Sequence, residues 1–151
     1  MIALNEIIYD IKARDGTYCC HPYEGHKNGC PNFPSCMKYR PDFKLLQDDY
    51  EWFAVYEEFN LKIHADKMKA LHTDWSIQQC YCVLYWQGGV RKRLKQKAKD
   101  AVMSFGNGII LDIPEAHGIN VFETMLKTGF IVDMKYHPDI VRKVMFVGKP
   151  K

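Results

Sequence analysis

The segment CCHPYEGHKNGCPNFPSC, residues 19 to 36, sets the first limit on what this chain can fold into. Its eighteen positions hold four cysteines, two histidines, three prolines and two glycines. Pro22, Pro31, Pro34 and the nearby Pro41 each remove a backbone donor and bias the preceding residue to extended geometry. Residues 19 to 41 therefore read as loop. A loop of that length inside a compact chain is unusual unless something orders it.

The rest of the chain has the means to fold around such a loop. Its 151 residues, 47% hydrophobic and 26% charged, suffice for one hydrophobic core without disulfide staples, so residues 1 to 151 read as a single domain. The opening MIALNEIIYDIK carries Glu6 and Asp10 and no basic region followed by an apolar stretch, so no secretory signal is expected. No apolar run approaches the roughly 18 residues of a membrane helix. The expected location is cytoplasmic, where six cysteines serve as thiols or metal ligands rather than as disulfides. A net charge of +3 does not by itself mark a nucleic-acid binder.

Local patterns place the other elements. Residues 4 to 12 form a strand or one short helix. YEWFAVYEEF (50 to 59) is a strand rich in aromatics. Asn60 caps a helix over 61 to 72 with an apolar stripe of Leu61, Ala65 and Met68. SIQQ (76 to 79) fits a capping box that opens a long helix toward residue 103, with Gly88 and Gly89 marking a break, a kink or a close backbone approach. GIILDI (108 to 113) is a short buried strand. NVFETMLKTG (120 to 129) is a helix started by Asn120 and Glu123 and stopped by Gly129, and DIVRKVMFVG (139 to 148) is a final strand. The fold class is α/β or α+β: a small mixed sheet packed with helices, plus the cysteine-rich loop.

Thiolates are soft ligands that select zinc or iron–sulfur clusters. Cys19 or Cys20, then Cys30, then Cys36 are spaced without the close CxxC pairs of zinc ribbons. A proline- and glycine-rich loop suits a cluster, because it wraps a bulky cofactor and points amides at its sulfides. Adjacent Cys19 and Cys20 contribute one ligand between them, and three thiolates on a [4Fe-4S] cubane leave one iron open for chemistry. The alternative is that some of these cysteines are small buried hydrophobes. Cys80 and Cys82, about 200° apart on a helix, face one metal together only if the helix is broken there, and core or groove lining suits them better. His64 and His72 stand about 12 Å apart along a helix, too far to share an ion. His21 and His26 are better placed, as ligands or proton donors beside a cluster or as partners of the loop backbone.

The pattern CxxPYxxHxxGCPNF, here Cys19, Pro22, Tyr23, His26, Gly29, Cys30, Pro31, Asn32 and Phe33, resembles a cysteine-rich "predicted metal-binding protein" family of unknown function. The resemblance continues in HTDWSIQQCYCVLYWQGGVRKRL, PEAHGINVFETMLKTGF and VRKVMFVG, and so covers most of the chain. It implies that Cys19, Cys30 and Cys36 are the metal-binding thiols, with Cys20 a bystander. One departure bears on Cys36 more than on Cys30: the family follows its third cysteine with two prolines, whereas this chain has Met37 and Lys38.

Two further features carry chemistry. RKRLKQKAK (91 to 99) holds six basic residues in nine, and on a helix Arg91, Lys95 and Lys99 line up as a row of cations suited to phosphates. Tyr81, Tyr85 and Trp86 precede it as stacking surfaces for a base. A solvated helix face explains the same row. LDIPEAHG places Asp112, Glu115 and His117 at a strand end, where loops commonly carry function and where a carboxylate or imidazole near a metal does acid or base work. A surface turn with capping acids explains them too.

Two functions follow. In the first, the protein is a small iron–sulfur enzyme with its cluster on Cys19, Cys30 and Cys36. His26, Glu115 and His117 are its acid–base candidates, and the Arg91, Lys95, Lys99 row steers an anionic or nucleotide-like substrate. In the second, a structural zinc held by Cys19 or Cys20, Cys30 and Cys36 orders the loop of a module that binds RNA or a protein partner.

Overall fold

The structure is a computed structural model and describes residues 1–23, 25–132 and 138–151. Four strands form one antiparallel sheet in the order β1-β2-β4-β3. Strand β1 is Ile2–Leu4, β2 is Tyr50–Asn60, β3 is Ile109–Leu111 and β4 is Ile140–Pro150. Two long strands carry it: β2 and β4 pair along their whole length, from Tyr50 opposite Pro150 to Asn60 opposite Ile140. An antiparallel sheet with helices segregated around it makes the architecture α+β.

Strand periodicity divides the core. Because successive side chains alternate, Trp52 and Ala54 point to one face and Phe53 and Val55 to the other. The second face is covered by α4 (Gln87–Ser104), whose Val90, Leu94 and Ala98 recur every four residues and are buried. Leu94 and Ala98 pack on Val55, Met145 and Val147. The first face packs Leu4, Phe43, Trp52, Ala54, Leu111 and Phe146 against Ile119, Val121 and Met125. Helix α5 (Val121–Leu126) supplies the last two of these. Among the described residues no helix is long and apolar enough to cross a membrane.

Most of the expected caps form. The Asn60 side chain accepts from the Ile63 amide at the start of α2 (Leu61–Leu71), and Asn120 accepts from the Glu123 amide at the start of α5. Ser76 and Gln79 make the reciprocal capping box. That box opens only the short α3 (Ile77–Cys80), however, and the long helix expected from 76 to 103 does not run through. The chain turns at Tyr81, becomes extended at Cys82 and passes through a 3-10 turn, Val83–Tyr85, before α4 begins. The cause is Trp86. Its indole is buried with Leu61, Val90 and Val141, stacks on Phe59 at 5.5 Å and donates to the Tyr81 carbonyl. Burying a ring of that size means reversing the chain just before it. Gly88 and Gly89 lie inside α4, where an added Cβ would meet nothing at Gly88 and only the Arg93 guanidinium at Gly89, so neither is a break nor a close approach. Cys80 is buried in this region, as its core reading requires.

Candidate functional site

Among the described residues of 19 to 41, regular structure is limited to two short 3-10 turns, Tyr18–Cys20 and Ser35–Met37, and an isolated antiparallel bridge between Tyr23 and His26. Their order comes from loop hydrogen bonds. The Cys30 amide donates to the Cys19 carbonyl at 2.7 Å, which closes the intervening residues into a bracket. Gly29 makes that closure possible. It sits at φ +84, and a Cβ there would overlap the Cys19 carbonyl oxygen. The Cys36 amide donates to the Asn32 carbonyl at 2.8 Å, which sets the third cysteine at the next turn.

This segment rests against the turn that follows β3. The 3-10 turn Pro114–His117 lies beneath it, and Tyr9 forms an isolated antiparallel bridge with Ile119. Between the two segments lies a cavity of about 790 Å³. Cys19, Cys30 and Cys36 line it together with Glu115, and Ile113, Ala116, Ile119, Val121 and Phe122 give it an apolar floor. The three thiols are partly buried, whereas Cys20 is exposed and lies outside the lining. Burial, with the neighbouring Cys36 and Cys30 adding to it, raises the Cys19 thiol above its ordinary range. A metal arriving at Cys19 must therefore displace a proton.

Glu115 is reachable by solvent through the cavity yet surrounded by protein. That loss of hydration raises its carboxyl above the ordinary carboxylate range, and neither the hydrogen bond from its own amide nor the charge of Lys143 offsets it. Its carboxylate makes no hydrogen bond or ion pair with another described side chain.

A clamp of charged groups holds the two walls together. Arg40 donates to Asp112 through Nε at 3.2 Å and Nη2 at 3.0 Å, and through Nη1 to the Cys36 carbonyl. Arg14, at the end of α1 (Ile11–Arg14), donates to the carbonyls of Arg40 and Ala116, both at 2.8 Å. The Tyr9 hydroxyl donates to Asp42 at 2.8 Å, and burial with that acceptor raises the phenol to about 12. His117 is buried, with Nδ1 2.7 Å from the Pro41 carbonyl. Neither Arg14 nor Arg40 carried a motif or spacing signal in the sequence.

The structure sorts the expected site residues. Cys19, Cys30, Cys36 and Glu115 share the cavity wall. His117 stands behind that wall, bonded to the backbone. His26 packs its ring on Tyr23 at 4.6 Å, is bridged to it through the backbone, and does not line the cavity. Arg91, Lys95 and Lys99 are exposed on α4, so the sheet separates that helix from the cavity floor of Ile119 and Val121. Arg93 and Lys97, between them, pair with Glu57 at 3.1 and 2.6 Å. Asp10, Tyr18 and Glu123 also line the cavity; no motif announced the first two, and Glu123 was marked only as part of a helix start.

Among the described residues, no three histidine, cysteine, aspartate or glutamate side chains are gathered closely enough to hold a single metal ion. The thiols share a wall without meeting at one point. Compared with family models, curated proteins and solved structures, the chain matches none of them.

Proposed function

We propose that this chain is an iron–sulfur protein in which Cys19, Cys30 and Cys36 hold a [4Fe-4S] cluster at the cavity wall, with one iron open to the cavity, and that it acts as a small enzyme. One observation carries the reading: three thiols from separate turns and a carboxylate bonded to no other described side chain line the same cavity of about 790 Å³. That volume lies in the range of small-molecule sites, roughly 300–1,000 Å³. Thiols spread along a wall suit a polynuclear centre, whose ligands stand at separate corners, better than one zinc, whose thiolates lie about 2.3 Å from a single point.

The residues fall into roles under this reading. The thiols bind and orient, and the amides of the bracketed loop are near enough in sequence to solvate cluster sulfides. Glu115 is the acid–base group at the cavity face, its carboxyl raised above the ordinary carboxylate range by the protein around it. Arg40 and Arg14 hold the thiol wall against the Glu115 wall. When bound, the cluster supplies a Lewis-acidic iron with an exchangeable position. The resemblance of the CxxPYxxHxxGCPNF pattern to a metal-binding family points the same way.

The test is iron, acid-labile sulfide and zinc content of protein purified without oxygen, read with its visible spectrum. About four irons and four sulfides per chain support the proposal. One tightly held zinc without colour replaces it with a structural-zinc module that contacts RNA or a protein partner.

A further inference from the structure

We infer that the cavity takes a small, mainly apolar molecule bearing a cationic amine, and that Glu115 and Glu123 are the groups that receive the amine. The inference deepens the functional reading above and rests on its treatment of the cavity as a binding chamber. It departs from the anionic substrate suggested by the basic row of α4, because α4 packs through Leu94 and Ala98 on the other face of the sheet and carries the row exposed to solvent.

The charge of the lining argues it. Asp10, Glu115 and Glu123 line the cavity, and among the described lining residues there is no lysine, arginine or histidine. A phosphate or carboxylate entering would find no charged donor to form the strong, charge-assisted hydrogen bonds that such groups need. It would also approach three carboxyl groups and the thiol wall, which gains negative charge whenever its thiols ionise to bind metal. A cation meets the opposite conditions.

The three acids are not equivalent. Asp10 is occupied: its Oδ1 accepts from the Lys12 amide and its Oδ2 from the Tyr18 hydroxyl at 2.7 Å. Glu123 is used through its backbone, where its amide donates to Asn120, and its carboxylate makes no ion pair with a described side chain. Glu115 feels the charge of Lys143, which does not line the cavity, and forms no ion pair at salt-bridge distance with a described side chain. Two carboxyl groups are thus left to face a ligand across an apolar floor of Ile113, Ile119, Val121 and Phe122. Apolar body and cationic end are the two halves of the molecule that lining would recognise.

Three probes of one shape test the inference: benzylamine, benzyl alcohol and benzoate, titrated by NMR into the anaerobically purified protein, with and without loaded iron. Saturable binding of benzylamine, shifting amides such as those of Ala13 and Asn120, with benzoate at least about tenfold weaker, is the expected result. Glu115→Gln and Glu123→Gln, checked for an unchanged spectrum elsewhere, should each weaken benzylamine about tenfold and leave benzyl alcohol unaffected. Benzoate binding as tightly as benzylamine, or no saturable binding of the amine, overturns the inference. Amine binding to a chain that takes up no iron leaves the inference standing while the cluster reading falls. A loaded cluster with preferred benzoate binding does the reverse.

Discussion

Arg40 meets Asp112 through two N–H to O contacts, Nε to Oδ1 at 3.2 Å and Nη2 to Oδ2 at 3.0 Å, and thereby ties the cysteine segment to the turn carrying Glu115. Burial opposes ionisation of Asp112, but the Arg40 hydrogen bond and charge outweigh it and hold its carboxyl below the ordinary range. Lysine keeps the charge and loses the fork. Arg40→Lys is expected to lower stability by about 1–2 kcal/mol, a modest figure because the pair is partly solvated, and to lower iron retention as well. Urea midpoints and iron content measured on the same preparation check both halves.

Cysteine substitutions should separate by their place on the cavity wall. Cys19→Ala, Cys30→Ala and Cys36→Ala are each expected to lose most of the bound iron and the visible absorption, with the sheet still folded. Cys20→Ala, at an exposed position off the wall, should keep both. An unaltered spectrum in Cys30→Ala would remove that residue from the ligand set.

Gly29→Ala places a methyl group on the Cys19 carbonyl oxygen at a positive φ. The bracket between Cys19 and Cys30 should open, at a cost on the order of 1–3 kcal/mol to the loop. Limited proteolysis would reveal new cuts between 19 and 36 while the β2–β4 pair stays intact.

Burial lowers the His117 pKa below 6.5; the Pro41 carbonyl pulls it up, Arg40 pushes it down, and burial decides the direction. The ring stays neutral in the fold while it protonates in the unfolded chain. Its stabilisation is therefore full above pH 6.5 and is lost as pH falls toward the folded-state value. In His117→Asn, which keeps a donor for Pro41, the fall in stability between pH 7.5 and 5.5 should shrink by about 1 kcal/mol. Urea unfolding at the two pH values measures it; an unchanged difference would mean that the ring protonates without cost.

Lys95 and Lys99 are solvated on α4, the helix that covers the opposite face of the sheet from Ile119 and Val121. Lys95→Glu with Lys99→Glu should move stability by no more than about 0.5 kcal/mol and leave iron content unchanged. Any RNA affinity that the row confers should fall in this variant and its salt dependence flatten. Filter binding across a salt series reads this out.

Elements with local signals were legible in the sequence. Asn60, Ser76 with Gln79, and Asn120 cap where their spacing says, because a cap is decided within four residues. The long aromatic strand β2 was equally plain. The break before α4 was not, since it depends on where the Trp86 ring can be buried, a tertiary matter. The site was half visible. Cysteine spacing marked one wall and a strand-end loop marked the other, but nothing local brings Cys36 and Glu115 together. Arg14 reaching Ala116 and His117 reaching Pro41 do that across 102 and 76 positions of chain.

Among the described residues no strand ladder joins the segment from 19 to 41 to the sheet; Arg14 and His117 hold its far end at the Arg40 and Pro41 carbonyls, and Arg40 links the Cys36 carbonyl to Asp112. A segment secured in that way can detach at a free energy well below that of unfolding the β2–β4 pair. Amide exchange in the thiol segment should accordingly outpace exchange in the sheet. On the cluster reading, iron and sulfide would then have a route inward in which the scaffold stays assembled and only its bolted panel swings open.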